Sequence, residues 1–471
     1  MPKLELKYDH KKETCVDIAK THHVYLTETD EGFVKDDKRL NNILIEGENY
    51  HALKALQYTH PGKIRVIIID APYNTGNDSW VYRDRYGDND DRFIVKSDDK
   101  ERHSKWLSMM ESRLVLARTL IDNQGCIFIH CDHHELRHVW CLCDQVFGED
   151  NFINDIIWVY ENSTMKNPSN QLASKHEYIL CFAKNKDQFE LNKVREDVVS
   201  EKLIKRFGKY ADADGKILFK NVQNEQSYLS RIVPKFVKEN GREPKDDDVI
   251  DVLQGNYIRD VINIPACRTN ELKSKYDIDF EYPKPVALEK ILLKLASQKN
   301  SIILDFFAGS GTTGEAVAEL NKEDGGSRQF ILITNNETSE KLPNGICKDA
   351  TLPRLTKSIG NENLKVLKVS VLKKEGEHPS DHIDQLVEGN KLLPILKLQY
   401  NTFTEVETTK EYVILTNHDK SFYLGVYHDD IAPNRKLFQS KLDGYNINNH
   451  IEVNRYDEYA QKYLRVISKK G

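Results

Sequence analysis

The segment Ser301–Val317, SIILDFFAGSGTTGEAV, puts a hydrophobic run, a glycine-rich turn and a helix start in immediate succession. A chain built this way has to turn from strand straight into helix, the repeating step of an α/β fold with a mainly parallel sheet. Gly309 and Gly311 let the backbone turn tightly and approach a ligand with no Cβ in the way. Gly314 completes a GxGxxG spacing, and Glu337 follows 23 residues later (337 − 314) at the end of the next apolar run. That pattern suits a ligand carrying a ribose. Alone it does not choose among such ligands.

The same alternation runs through much of the chain. NNILIEG (Asn41–Gly47), a helical stretch near Tyr50–Gln57 and KIRVIIID (Lys63–Asp70) form a first unit. A helix follows in HSKWLSMMESRLVLARTLI, where Leu107, Met110, Leu114, Ala117 and Ile121 recur three or four apart. GCIFIHCD (Gly125–Asp132) and its helix come next, then strand-like IIWVY (Ile156–Tyr160) and HEYILCFAK (His176–Lys184). From about Asn185 to Tyr282 the sequence loosens into mixed, charged composition before strong α/β signals return. At 471 residues two or three domains are expected. The divisions predicted are a catalytic α/β domain from 1–185 and 281–360, an inserted region 186–280, and a small α+β region 361–471. LKKEGEHPSD (Leu372–Asp381) resembles a linker, and EYVILTN (Glu411–Asn417) and SFYLGVY (Ser421–Tyr427) read as strands of the tail.

Composition excludes several classes. Hydrophobic residues at 39% and charged residues at 30% describe a globular chain. No apolar run approaches the length of about 20 residues that a membrane span needs, and the polar N-terminus lacks a signal-peptide core. Eight sparse cysteines fit reduced thiols, so a cytoplasmic location is expected. His130, Cys131, His133, His134, His138, Cys141 and Cys143 cluster locally. They straddle a strand end and a helix whose apolar stripe is Val139, Leu142 and Val146, so their side chains diverge and no metal is assigned. The net charge of −6 does not advertise a nucleic-acid binder. Lys202–Lys245, however, carries eleven Lys or Arg against five Asp or Glu, interleaved with Phe207, Tyr210, Phe219, Tyr228 and Phe236.

A second turn carries more chemical information. At the end of RVIIID lies Asp70-Ala71-Pro72-Tyr73-Asn74-Thr75-Gly76, and ligands of open parallel sheets bind at the carboxyl ends of strands. A simple capped loop would explain an Asp-x-Pro-Tyr turn taken alone. Amine methylation explains more of it. The exocyclic amine of adenine is a poor nucleophile, because its lone pair is delocalised into the ring. A carboxylate accepting one amine hydrogen and a backbone carbonyl accepting the other would localise that lone pair. Proline fixes the turn. The aromatic ring can stack on an extruded base, an interaction worth about 1–3 kcal/mol per base.

With both turns in view, the chain resembles the β-class amino methyltransferases of DNA, most closely the modification subunits of type III restriction–modification systems. The order is distinctive: the turn at residue 70 precedes the glycine loop at residue 305 by 235 residues (305 − 70). NNILIEGENYHAL, HSKWLSMMESRLVLAR, GCIFIHCDHHEL, SKHEYILCFAKN and YPKPVALEKILL (Tyr282–Leu293) resemble further family segments. The resemblance covers about residues 40–185 and 280–355. It implies a Rossmann-like, S-adenosylmethionine-dependent sheet with circularly permuted motif order, and a target-recognition insertion at 186–280.

The implied catalytic residues are Asp70, Ala71, Pro72 and Tyr73. Asp70 and the Ala71 carbonyl would accept from the target amine while Tyr73 stacks. The implied cofactor residues are Glu48 and Asn49 on the adenine side, and Lys284 and Pro285 closing the pocket. Asp305, Phe306, Phe307, Ala308, Gly309, Ser310, Gly311 and Thr312 would form the loop, with Asn336 and Glu337 at the ribose. The family usually has proline where Ala71 stands, a departure that costs rigidity but leaves a carbonyl in place. Asp at the head of the turn points to N6 of adenine, with N4 of cytosine as the alternative. The resemblance further implies double-stranded DNA, a homodimer and a restriction subunit with helicase and nuclease activity, in a bacterial cytoplasm. The chain has no GxxxxGK[ST] motif that would power cleavage itself. A nicotinamide-dependent dehydrogenase would explain Gly309–Gly314 but leave DAPYNTG and YPKP without a role. A catalytically weak DNA-binding module is the other rival.

Overall fold

A computed structural model describes residues 6–35, 41–74, 80–82, 93–95, 100–160, 172, 174–196, 201–252, 254–267, 270–374, 391, 393–400, 402–409, 412–417, 420, 423–428, 449–453 and 465–468. Two compact units emerge, one made of Met1–Glu190 with Asn263–Gly471 and a second of Leu191–Ile262.

The first unit is built on one large sheet. In chain order its strands are β1 (His22–Glu28), β2 (Asn41–Glu46), β3 (Ile64–Asp70), β4 (Ile121–Cys131), β5 (Phe152–Val159), β6 (His176–Ala183), β7 (Ile302–Asp305), β8 (Gln329–Thr334) and β9 (Asn363–Lys373). Laterally they run β1-β9-β2-β8-β7-β3-β4-β6-β5. From β9 to β4 every neighbouring pair is parallel, whereas β1, β6 and β5 are antiparallel additions at the edges. Parallel strands need cover on both faces, which is why Ile43–Ile45 and Val66–Ile69 are unbroken apolar runs and wholly buried. Ile67, Ile69, Ile127, Ile129, Ile331 and Ile333 form one cluster with Leu53, Leu107, Leu114 and Leu142. These come from helices Asn49–Thr59, Arg102–Leu120 and Leu136–Phe147. Alternate strand residues such as Val66 and Ile68 face the other way, toward helix Val286–Ala296, which packs on β3, β4 and helix Thr312–Asp324.

The chain leaves β3 toward β4 on one side, and leaves β7 toward β8 on the other. Strands β3 and β7 therefore flank the point where connection direction divides, the place where an open α/β sheet offers a crevice.

Several boundaries differ from the sequence expectation. Ile121 opens β4 instead of closing the helix before it, because a buried apolar residue satisfies either pattern. Glu337 lies in the loop beyond β8, which ends at Thr334. Helix Thr14–Thr21 and β1 had no sequence signal, since β1 is a half-buried edge strand without clean alternation. The region expected to begin at residue 361 gives its first eleven-residue strand, β9, to the central sheet between β1 and β2. Leu372 and Lys373 of the expected linker thus belong to that strand, and its residues from 375 lie outside the described ones, as do Thr75, Gly76, Glu411 and Ser421.

The C-terminal strands form a separate sheet in the order Thr404–Thr408, Tyr412–Thr416, Tyr423–His428, Asn449–Val453, Arg465–Ser468. Val413, Leu415, Leu424 and Val426 pack there with Leu396 of helix Leu393–Tyr400. The second unit has its own core of Phe207, Ile217, Val222, Tyr228, Phe236 and Ile250. Its compact boundaries, 191–262, are narrower than the 186–280 expected for an insertion. Among the described residues no helix is long and apolar enough to cross a membrane.

Candidate active site

Asp70 is the last residue of β3, registered against His130 of β4. Its side chain is a third exposed, so one face of the carboxylate meets solvent. The ammonium of Lys284 meets the other, 2.9 Å from Asp70 Oδ2 and 3.4 Å from Glu177 Oε2. Lys284 also donates to the Tyr73 hydroxyl at 3.0 Å, and that hydroxyl donates to Glu177 Oε2 at 2.8 Å. Burial works against the Lys284 charge, but Asp70 and Glu177 outweigh it and hold the ammonium above its ordinary pKa. Burial, then Asp70 and Glu177, push the Tyr73 phenol well above its ordinary value, so it acts as a neutral donor.

The turn is held from behind. Trp106 Nε1 donates to the Pro72 carbonyl at 2.8 Å. Asn74, 1% exposed, donates Nδ2 to Glu135 Oε1 at 2.5 Å. The Glu135 carboxylate also lies 2.6 Å from His103 Nδ1 and 2.9 Å from His138 Nδ1. Burial raises the pKa of Glu135 against the pull of these partners. Ala71, 3% exposed, sits between these anchors.

The glycine turn follows β7. Asp305 Oδ1 accepts from the Phe307 amide at 2.9 Å, and Oδ2 from Thr313 Oγ1 at 2.7 Å. Burial pushes its pKa up to about 7 despite those bonds, with Glu289 and Asp70 adding to the rise. Gly309 (φ +48°) and Gly311 (φ +86°) occupy left-handed backbone, as their lack of Cβ permits. A Cβ on Gly311 would lie 3.2 Å from Thr351 Cγ2, while Thr351 Oγ1 donates to the Gly309 carbonyl at 2.6 Å. Arg354 donates to Ser310 Oγ and Thr312 Oγ1 at 2.7 and 2.8 Å and pairs with buried Glu315 at 2.6 Å. Asn49 clamps the loop from the other side, Nδ2 donating to the Phe306 carbonyl at 3.0 Å.

These two turns border one cavity of about 1480 Å³. Asp70, Ala71, Pro72 and Tyr73 line it at one end. Asn49, Lys284, Asp305, Phe306, Phe307, Ala308, Gly309, Ser310, Thr312 and Glu337 line the remainder of what the sequence singled out. Four expected residues are absent from its walls. Glu48 caps helix Asn49–Thr59 by accepting from the His51 amide at 2.9 Å, and its other oxygen is held 2.5 Å from buried Arg113. Pro285 precedes helix Val286–Ala296 and accepts from the Leu288 amide. Gly311 turns toward Thr351, and Asn336 Nδ2 bonds the Asn344 carbonyl.

Sequence reasoning missed Glu177, Glu135, His103, Trp106, Arg113 and Arg354. A charged residue inside an apolar strand (Glu177) or helix (Arg113) is the one local signal any of them offers. The histidine–cysteine cluster separates into groups: His133 and His134 stay beside Asp132, and His138 joins His103 and Glu135. His130 is buried 3.1 Å from Glu289, Cys131 and Cys143 are buried, His133 and His134 line the cavity, and His138 is on Glu135.

In the second unit, the basic stretch is partly neutralised. Lys205, Lys216, Lys220, Lys235 and Arg242 pair with Glu201, Asp214, Asp247, Glu239 and Asp248. Phe207, Tyr228 and Phe236 are core residues there, so those rings pack inward and do not alternate with the charges on a surface.

Residues 64–362 match the sequence model of the DNA methylase family. The Mod subunit of the type III restriction-modification enzyme StyLTI of Salmonella typhimurium is 29% identical over 387 residues, 71% of this chain and 59% of that protein. The EcoPI Mod subunit of Escherichia phage P1 is 31% identical over 398 residues, 66% of this chain and 60% of that one. The type II methyltransferase M.KpnI of Klebsiella pneumoniae is 30% identical over 346 residues, 63% and 81% of the two chains. The chain thus spans about 60% of the length of the two Mod subunits. The matched region runs from the start of β3 to just before β9, enclosing both the Asp70 turn and the glycine loop that share the cavity, and on that ground this chain belongs to the DNA methylase family.

Proposed function

We propose that the chain transfers the methyl group of S-adenosylmethionine to N6 of an adenine swung out of duplex DNA. The observation that carries this reading is the placement of the Asp70 carboxylate and of Gly309 and Ser310 of the glycine turn on one cavity, at the strand ends where the connections divide. The cavity also fits the cofactor's charge. Asp70, Asp132, Glu177, Glu281, Glu289, Asp305 and Glu337 line it, against Lys284 as the single Lys or Arg among the described lining residues. Such walls suit a cationic sulfonium and oppose the anionic pyrophosphate of a nicotinamide dinucleotide. Glu337 offers a carboxylate to ribose hydroxyls, and the loop from Asp305 to Thr312 offers backbone with no side chain in the way.

When bound, S-adenosylmethionine supplies an electrophilic methyl carbon. The chain's own part is to raise the nucleophilicity of the amine and fix its approach. Asp70 accepts one amine hydrogen and the Ala71 carbonyl the other, which localises the lone pair on nitrogen. Tyr73 stacks on the base, its ring held by Glu177 and Lys284. Lys284 orients Asp70, leaving the exposed side of the carboxylate for the amine. After transfer the methylated nitrogen sheds a proton to Asp70, which faces water.

Transfer of labelled methyl groups from the cofactor to unmethylated genomic DNA, followed by nucleoside analysis, tests this. N6-methyladenine is expected. N4-methylcytosine would overturn the choice of base, and absence of label would overturn the enzyme reading. Asp70→Ala should lower turnover by about 10²–10³-fold while cofactor binding persists.

We further propose, from the resemblance to type III modification subunits, that the chain acts as a homodimeric modification subunit beside a restriction subunit. The Leu191–Ile262 unit, within the proposed 186–280 insertion, serves target recognition, and its Lys202, Arg206, Arg231 and Lys238 supply phosphate contacts. Light scattering of the purified chain reads its oligomeric state. Replacing those four cations should weaken DNA binding and flatten its salt dependence.

A further inference from the structure

Tyr282 is 84% exposed although it lines the cavity shared by the two turns. It is also one of three non-glycine residues with left-handed backbone among the described residues, at φ +53°. A bulky residue rarely adopts that conformation, and a following proline, here Pro283, normally drives its predecessor to extended backbone. Strain of this kind persists where the surroundings impose it, and it gathers at ligand-contacting positions.

The neighbours show what the kink accomplishes. Before it, Phe280 lies against the glycine turn, its Cζ 3.4 Å from where a Cβ on Gly309 would stand, and Glu281 pairs with Lys341 at 2.6 Å. After it, Lys284 reaches Asp70 and Tyr73. The segment therefore serves the cofactor loop with one end and the catalytic turn with the other, and the ring between them is left in solvent at the cavity edge.

We propose that Tyr282 is a second base-contacting aromatic, stacking on the nucleobase as it enters the cavity, an inference that rests on the DNA methyltransferase reading. Its exposure assigns it to the nucleic acid: a ring packed on cofactor beside Gly309 would be largely covered by the loop walls, as Phe307 is. Every base presents a π face, so an exposed tyrosine at the entrance favours the extruded state whatever the flanking sequence.

Tyr282→Gly removes the ring and, because glycine accepts positive φ, relieves the backbone. The variant should keep or exceed wild-type thermal stability and keep its affinity for S-adenosylmethionine. Its kcat/KM for unmethylated genomic DNA should fall about 5- to 150-fold, the equivalent of about 1–3 kcal/mol of stacking at about 1.36 kcal/mol per tenfold. Tyr282→Phe, which retains the ring, should recover most of that loss. Wild-type kcat/KM in the glycine variant, a parallel loss of cofactor affinity, or equal damage from phenylalanine would each overturn the proposal. If the wild-type chain labels no DNA, the enzyme reading fails separately. Tyr282 is then judged by affinity for a single-stranded oligodeoxyadenylate, which Tyr282→Gly must lower by a similar factor.

Discussion

Lys284 Nζ stands 2.9 Å from Asp70 Oδ2, joining a residue at the end of β3 to one just ahead of helix Val286–Ala296, 214 positions later (284 − 70). The same ammonium donates to Tyr73, so one cation organises both the acceptor carboxylate and the stacking ring. The cavity around it is strongly acidic, and without this lysine Asp70 would face Glu177 with no positive charge between them.

Lys284→Met tests that arrangement. The side chain keeps its length and loses its charge, freeing Asp70 and Tyr73 to shift. Misplacement by about 1 Å can cost about 10²-fold in rate, and single-turnover methyl transfer should fall by that order. A variant holding more than half the wild-type rate would show that Lys284 does not orient Asp70.

Burial of Asp305 gives stability a pH dependence. Its folded-state pKa, about 7, lies above the ordinary 3.8, so the folded protein holds a proton that the unfolded chain releases. The contribution is intact below pH 3.8 and declines as pH rises through 7, by at most about 4 kcal/mol at 1.36 kcal/mol per unit. Urea midpoints at pH 5 and pH 8 should therefore differ more in the wild type than in Asp305→Asn, which cannot ionise. Identical differences in the two proteins would remove Asp305 as the cause.

Arg113 is fully buried and meets Glu13 at 2.6 Å, Glu48 at 2.5 Å and Asn49 Oδ1 at 2.5 Å. Arg113→Met strands two buried carboxylates and should destabilise the fold by about 3–5 kcal/mol. It also releases Asn49, whose amide holds the Phe306 carbonyl, so cofactor affinity should drop in the fraction that stays folded. Denaturant unfolding and calorimetric titration read the two effects independently. Wild-type affinity in the folded variant would mean that Asn49 needs no such support.

Ala71 offers a gain-of-function test. Its carbonyl contributes as a proline carbonyl would, but the turn is less rigid. Ala71→Pro should raise methyl transfer a few-fold and leave cofactor affinity unchanged. If the native chain transfers nothing and the proline variant restores transfer, Ala71 has disabled the enzyme instead of slowing it.

The elements, and the chemistry at their ends, were legible in local patterning. Runs such as RVIIID and SIILD read as strands of a mainly parallel sheet, and a turn of Asp-Ala-Pro-Tyr or Gly-Ser-Gly declares its polar groups within a few residues. Which distant groups meet was settled by packing alone. Glu48 went to Arg113 and a helix cap instead of the cavity. Glu177 and Lys284 closed around Asp70 and Tyr73, and β9 joined the central sheet from beyond the expected domain limit. Periodicity and turn preference are local properties of the chain. The partner of a buried charge is set by close packing between segments hundreds of residues apart, where burial penalises every unpaired charge.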